Sequence, residues 1–222
     1  MEVLVVNTSG YGENEQRMAR KGTGPTRRGT PTLTAADWAE AALQLIAEKG
    51  LNALTVNALA ERLGVTKGSF YWHFDSRSDL LAAALKQWEE RSTTDAMRGL
   101  DAVSDHQQRL ELMLEASSRP PRSRSLYAAL AEAAEDPTVR SALNRVASTR
   151  IAYLEACYGR LGFAPQLAQS YAVLAYASYR GLLQLAHEAP AALPTDWSDY
   201  PEVVRKALIP QSAGAPRARK RR

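Results

Sequence analysis

Apolar side chains recur through most of this 222-residue chain at the three- and four-residue spacing of helices that bury one face. The first run begins after Thr34 and ends at Gly50, and Asp37 is spaced to complete a capping box. The next run begins at Val56 and ends at Gly64. Because no stretch shows the period-two alternation of a half-buried strand, the pattern predicts an all-α fold.

Pattern and composition divide the chain into four predicted parts. Residues 1–31 are rich in Gly, Thr, Arg and Pro without a period, and residues 211–222 end in a run of cations, so both are expected to be disordered. Residues 32–92 carry four predicted helices, and residues 95–210 carry five more. Those five are predicted at 107–116, 126–135, 139–161, 166–187 and 200–208.

The stretch 55–74 has the most specific pattern. Two short helices are separated by a turn at Gly64, and Thr55 and Thr66 are placed to cap them. A turn this short makes the two helices cross steeply instead of packing antiparallel. This pattern predicts a helix-turn-helix that lays its second helix in the DNA major groove, followed by a helix that Ser76 caps.

The second of these short helices has an apolar and a polar side. Val65, Phe70 and Phe74 are predicted to point inward. Lys67 can reach a phosphate or a guanine edge, and Gly68 lets the backbone approach the groove. The alternative is that the polar aromatic and imidazole groups are partly buried residues of a small helix. The predicted outward residues are Lys67, Gly68, Ser69, Tyr71 and His73.

Residues 32–92 resemble the N-terminal domain of the TetR (tetracycline-repressor-like) family of transcriptional regulators. The resemblance rests on Leu-Gly-Val at 63–65, Lys-Gly-Ser-Phe-Tyr-Trp-His-Phe at 67–74 and Asp-Ser-Arg-Ser-Asp-Leu-Leu at 75–81. It implies that Asn57 reads a base, and that Arg77, where the family commonly has lysine, holds a phosphate. The DNA-contacting residues expected on this basis are Thr55, Asn57, Thr66, Lys67, Gly68, Ser69, Tyr71, His73 and Arg77.

The charge distribution agrees with a polyanionic partner bound at one end of the molecule. The net charge is +4. Residues 17–80 carry nine Lys and Arg against six Asp and Glu, and residues 217–222 carry five cations. Arg20, Lys21, Arg27 and Arg28 form a basic arm that would reach a minor groove or stay solvated. Met18 is a plausible alternative start.

The resemblance also implies a dimer interface built by the last two long helices. The predicted helix 166–187 is nearly apolar all round, and its small residues suit a close approach of a second helix. The alternative is a central buried helix in a monomer. The interface residues expected are Ala175, Ser178, Gly181, Leu182 and Leu185.

A small-molecule pocket among the middle helices is the remaining implication. Aromatic lining would suit a hydrophobic or aromatic effector, although each of these residues could equally be plain core. The candidate lining residues are Trp88, Met113, Tyr127, Tyr153 and Tyr176.

Other function classes find no support. The lone Cys157 excludes an intramolecular disulfide and a cysteine-rich metal site, and the three histidines have no metal-ligand spacing, so neither a metal nor a cofactor is expected. No Gly-rich phosphate loop or nucleophile elbow is present, which argues against an enzyme. No apolar run reaches the length of a membrane span, so a cytoplasmic protein is expected.

Together these features predict a repressor that binds a palindromic DNA operator as a homodimer and is released by a small molecule. The second hypothesis is a constitutive or architectural DNA-binding protein without an effector.

Overall fold

The computed structural model describes residues 33–118 and 126–209, and these residues contain helices and no strand, as the sequence predicts. The predicted disordered segments, with the basic arm and Met18, lie outside the described residues. Two short 3-10 turns span Leu51–Ala53 and Pro190–Ala192. The helices are α1 (Ala35–Lys49), α2 (Val56–Leu63), α3 (Lys67–Tyr71), α4 (Arg77–Glu89), α5 (Ala96–Asp101), α6 (His106–Ser117), α7 (Leu126–Glu132), α8 (Pro137–Arg160), α9 (Pro165–Glu188) and α10 (Tyr200–Leu208).

The predicted helix starts are confirmed at α1 and α4. The Thr34 hydroxyl accepts a hydrogen bond from the Asp37 backbone at 3.3 Å, and the Asp37 carboxylate accepts one from the Thr34 backbone at 2.7 Å, which completes the capping box. The Ser76 hydroxyl accepts from the Asp79 backbone at 3.1 Å. Gly50 follows α1 with a φ of 80°, a conformation that favours glycine.

The first four helices enclose an aromatic core. Trp38 of α1 is fully buried, and its ring meets the ring of Phe70 edge-on at 5.5 Å. The ring centre of Phe74 lies 5.7 Å from the ring centre of Phe70. Since aromatic pairs prefer such tilted arrangements, the cluster fixes α3 against α1.

The predicted boundary between residues 92 and 95 falls inside continuous helical structure. After α4 the chain passes through one π-helical segment, Glu90–Asp95, directly into α5. Neither the π-helical segment nor α5 is indicated by the apolar spacing. The helices from α5 to α10 form the body of the molecule. The first core also crosses the boundary, because Leu130 and Val139 of the body belong to the same buried cluster as Trp38.

The two longest helices, α8 and α9, pack against each other along the body. Asp136 caps α8, and its carboxylate accepts from the backbone of Thr138 at 2.8 Å. Tyr158 lies fully buried in a second core between these helices and donates to the Leu208 carbonyl at 2.7 Å. Cys157 is buried beside it, as predicted, and burial raises the pKa of its thiol.

Candidate nucleic-acid interface and helical body

The turn between α2 and α3 is built as the sequence predicts. The Thr55 hydroxyl accepts from the Ala58 backbone at 3.1 Å and caps α2. Gly64 adopts the left-handed conformation, with a φ of 67°, and the backbone N–H of Val65 donates to the Ala60 carbonyl at 2.9 Å. These bonds satisfy the last carbonyls of α2 and turn the chain sharply into α3.

The recognition helix α3 is held by Phe70, which is fully buried, and by Phe74, so both predicted anchors are confirmed. Val65 is only partly buried against the same core. Thr66 stands at the N-cap position, but its hydroxyl makes no capping hydrogen bond, which corrects that part of the prediction. The hydroxyl is therefore left for other partners.

The outer side of α3 is a continuous polar and aromatic surface. Lys67 and Gly68 are exposed, and Lys67 has no ion-pair partner among the residues that the structure describes. Tyr71 is 63% exposed, while Ser69 and His73 are half-buried. Thr55 and Asn57 are exposed at the start of α2. The structure gives these groups free surface, and their contact with DNA stays a prediction.

Trp72 is the residue of this surface that the sequence reasoning missed. Its side chain is 87% exposed, more than any other large hydrophobic residue described. It follows directly on the last residue of α3, where the chain leaves the helix. The signal in the sequence is its place between two outward polar residues, Tyr71 and His73.

Gly68 has no steric reason within the chain to be glycine. A Cβ at this position would meet only the Thr66 hydroxyl, at 3.6 Å, which is ordinary contact. The predicted role of Gly68 in a close approach of DNA therefore stays a prediction.

Arg77 has a structural role that the sequence did not reveal. Its Nε donates to the Leu54 carbonyl at 2.6 Å, and its Nη2 donates to the Leu51 carbonyl at 3.0 Å. The guanidinium thus ties α4 to the turn that precedes Thr55. The guanidinium has several N–H donors, so those that are not bonded to the two carbonyls can face a phosphate. A lysine cannot bond two carbonyls with the same fixed geometry.

An ion pair fixes α2 on α1. The Arg62 guanidinium donates to both carboxylate oxygens of Glu48, at 2.7 and 2.6 Å. These hydrogen bonds lower the pKa of the Glu48 carboxyl. The hydrogen bonds from Thr34 likewise lower the pKa of Asp37, with a smaller contribution from the charge of His73.

The five predicted pocket residues do not line one cavity, although the structure brings three of them into contact: Trp88 packs against Tyr127, whose hydroxyl lies 3.1 Å from the Tyr176 hydroxyl. Met113 lines a cavity of about 50 Å³, and Met113 and Tyr176 line a second cavity of about 20 Å³. Trp88 and Tyr127 are buried core, with ring centres 5.7 Å apart. Tyr153 lines neither cavity and donates to the Asp101 carboxylate at 2.9 Å.

The predicted interface residues of α9 separate into two groups. Ala175 and Leu182 are buried within their own chain, which corrects their assignment to an outer surface. Ser178 is half-buried, and Gly181 and Leu185 are exposed. The exposed apolar residues that the sequence reasoning missed are Leu167, Val173 and Leu174.

Residues 33–118 and 126–209 hold no cluster of His, Cys, Asp and Glu with the make-up of a metal site. Over the same residues, none of the helices is long and apolar enough to span a membrane.

Comparison with known proteins locates the likeness in the first domain. Residues 39–84 match the family model described as "Bacterial regulatory proteins, tetR family". The chain is 30% identical over 76 residues to the HTH-type transcriptional activator FasR of Mycolicibacterium smegmatis, which is 34% of this chain and 35% of that protein. It is 51% identical over 43 residues to the tetracycline repressor protein class A of Escherichia coli, 19% of this chain and 20% of that protein.

Beyond the matched domain, most of the chain shares its fold with solved structures. A transcriptional regulator from Rhodococcus sp. Rha1 aligns with a TM-score of 0.60 over 79% of this chain and 92% of that chain, at 24% identity. This likeness concerns the fold alone, whereas the sequence matches span about a third or less of the curated relatives. Residues 39–84 therefore form a DNA-binding domain of the tetR type, and the remainder of the chain is similar to such regulators in fold alone.

Proposed function

We propose that this protein is a sequence-specific DNA-binding transcriptional regulator without enzymatic activity. The observation that carries the proposal is the outer surface of α3, where Lys67, Tyr71 and Trp72 are exposed on a helix that Phe70 anchors. A short helix fixed from below and bearing a cation and hydrogen-bond donors on its outer side matches the chemistry of a DNA groove.

Each group on this surface has a defined task in the proposal. Asn57 and Lys67 carry the donors that read base edges. The hydroxyls of Thr55, Thr66, Ser69 and Tyr71, the His73 imidazole and the remaining Arg77 donors hold phosphates. The Trp72 indole N–H and ring add a donor and an apolar surface beside the backbone. Phosphate contacts set the position of the helix, and the base contacts supply the specificity.

The proposed regulator acts as a homodimer on a palindromic operator. One recognition helix reads only a few base pairs, so two half-sites about 34 Å apart are needed for useful specificity. The exposed apolar residues of α9, with Gly181 among them, support a self-association surface on the side of α9 that faces away from its own core. We place the protein in the cytoplasm, together with its DNA.

A small molecule is proposed to release the operator, so that the protein acts as a repressor. The two relatives differ in this respect, since one is named an activator and the other a repressor. A cavity beside the π-helical segment that follows α4 supports control by a ligand, because α4 leads directly to the recognition helix. A constitutive or architectural DNA-binding protein is the competing function.

Mapping of bound sites across the genome, followed by footprinting on the strongest site, tests the proposal. We expect discrete protection of an inverted repeat, and weaker binding to every sequence for Tyr71→Phe combined with His73→Ala. Lys67→Ala or Asn57→Ala should also relax the base preference. Binding that depends on salt but not on sequence would instead support the architectural function.

A further inference from the structure

The cavity of about 50 Å³ lies at the junction of the two parts of the chain. One wall is the π-helical segment, which contributes Ser92 and Thr93, and the others come from α5, α6, α8 and α9. π-Helical turns are rare and concentrate at functional sites. This segment both opens the cavity and continues the helix that carries the DNA-binding domain.

Thr93 is a buried polar group without a hydrogen-bond partner among the residues that the structure describes. Its side chain is 4% exposed and lines the cavity, and its hydroxyl oxygen makes no hydrogen bond to those residues. A buried hydroxyl loses its hydration on folding and normally regains a hydrogen bond within the protein or to water. The hydroxyl therefore has an unused donor and acceptor at the cavity wall.

Arg150 is the cation among the residues that line this cavity. It is half-buried, and its Nη2 donates to the Ser92 carbonyl at 2.6 Å. No carboxylate pairs with Arg150 in the described part of the chain. By contrast, Arg145 on the same helix donates hydrogen bonds to both carboxylate oxygens of Glu89, at 2.9 and 2.7 Å. The charge of Arg150 also acts on Tyr176. Burial raises the pKa of Tyr176 to about 12, and the nearby positive charge of Arg150 opposes part of this increase.

The rest of the cavity is apolar. Met97 and Leu100 of α5 face Met113 of α6 across it. Methionine side chains are flexible and adapt to the shape of a ligand. The cavity is far smaller than the several hundred Å³ of ordinary ligand sites, so its occupant is small or widens it by moving these methionines.

We propose that this cavity binds a small apolar monocarboxylic acid, whose carboxylate lies between the Arg150 guanidinium and the Thr93 hydroxyl. A single lining cation balances a single negative charge, which favours a monoacid over a phosphate ester. The unused guanidinium N–H groups and the Thr93 hydroxyl supply donors to carboxylate oxygens. The hydrocarbon part lies against Met97, Leu100 and Met113.

The same arrangement couples the cavity to DNA, a step that rests on the proposed function. Arg150 holds the carbonyl of Ser92, whose hydroxyl donates to the Trp88 carbonyl of α4 at 2.6 Å. A carboxylate that binds the unused N–H groups draws the guanidinium away from the Ser92 carbonyl and so loosens the π-helical segment. The ligand thereby favours a different position of α4 and of the recognition helix.

Calorimetric titration of the full chain with hexanoate and with its neutral amide, hexanamide, tests the site. We expect hexanoate to bind at least about tenfold more tightly than hexanamide, because hydrogen bonds to charged groups are the stronger ones. Arg150→Met should weaken hexanoate binding about tenfold or more and leave hexanamide unchanged. Thr93→Val, which keeps the shape of the side chain, should weaken hexanoate without loss of folding. Arg160→Met, an exposed position on the same helix, is the matched control.

Three outcomes would overturn the site: equal affinity for acid and amide, an unchanged affinity in both the Arg150 and Thr93 variants, or no binding of any straight-chain acid from butanoate to octanoate.

Operator affinity of the ligand-free protein is measured in parallel. If the protein binds the operator but not the acids, the proposed site is refuted and the proposed function is retained. If the protein binds the acids but not the operator, the proposed function is refuted and the site is retained. Coupling requires that hexanoate weaken operator binding by the wild type and not by Arg150→Met.

Discussion

At the scale of single residues, two neighbouring aromatic side chains, one within the recognition helix and one directly after it, have opposite surroundings. Phe70 is fully buried and meets Trp38 edge-on, whereas Trp72 is 87% exposed. The first holds the helix in place, and the second is available to a partner. Their separate roles can be measured, because one stabilises the fold and the other is proposed to act in binding.

Phe70→Ala should lower the free energy of unfolding by about 3–5 kcal/mol, since it removes a buried ring and leaves a cavity. Trp72→Ala should change it by less than about 0.5 kcal/mol, as exposed positions do, and should weaken binding to the mapped operator. Urea denaturation gives the first quantity and a fluorescence titration with labelled operator the second. An equal loss of stability in the two variants would contradict the placement of Trp72.

The sequence could predict most of this surface because the 3.6-residue period alone separates inward from outward positions. Phe70 and Phe74 fall on the apolar side of the period, and Lys67 falls on the other. The exposure of Trp72 could not be predicted, because a large apolar ring suggests burial. The structural role of Arg77 could not be predicted, since its carbonyl partners at Leu51 and Leu54 are set by tertiary packing that no local pattern contains.

At the scale of helices, the ion pair between Arg62 and Glu48 joins α2 to α1 and makes their packing dependent on pH. The hydrogen bonds from Arg62 hold the pKa of Glu48 below its ordinary value of 4.5. A lowered pKa in the folded state means that the pair stabilises the fold above the unfolded pKa. The contribution is lost as the pH falls through the folded-state pKa.

Glu48→Gln should therefore be less stable than the wild type at pH 7, and the difference should disappear once the pH has fallen below the lowered folded-state pKa of Glu48. Thermal unfolding of both proteins across this pH range measures the difference. Glu61→Gln is the control, because Glu61 is exposed on α2 and makes no ion pair in the described part of the chain. A difference for Glu48→Gln that stayed constant with pH would show that the carboxylate charge is not the cause.

The helices that the sequence did not predict follow from the π-helical segment. Residues 90–95 are mostly polar, so they show no apolar stripe, and one π turn shifts the register of the residues that follow it. A pattern search that assumes a constant period loses α5 at this point. The longer helices α8 and α9 were predicted within a few residues, because their apolar stripes run for many turns.

At the scale of the whole molecule, the DNA-binding helices and the body share one core. Trp38 and Leu85 belong to the same buried cluster as Leu130 and Val139. The sequence indicates which side of each helix is apolar but not which helix covers it, so this shared core could not be predicted. A continuous core and a continuous helix make it difficult for the body to change shape without moving the recognition helix.

The same reasoning applies to the surface of α9, whose exposed apolar residues have no cover within the described chain. Leu174 is 51% exposed there, and Leu167 and Leu185 lie on the same side of the helix. Leu174→Glu should convert the proposed dimer into a monomer, because burying an unpaired carboxylate in an apolar interface is costly. Sedimentation velocity at micromolar concentration measures the change, and operator affinity should fall because two half-sites are no longer bound together.

Val203→Glu is the matched control for this prediction. Val203 is 59% exposed and lies on α10, a different helix, so the same charge is introduced at a similarly exposed apolar position. The control should stay dimeric and bind the operator as the wild type does. If both variants remain dimers, the self-association surface lies elsewhere on the molecule. If both dissociate, the interface extends to α10 and the stripe of α9 is only part of it. A monomer only for Leu174→Glu ties the dimer to α9, the helix whose inner side lines the cavities of the body.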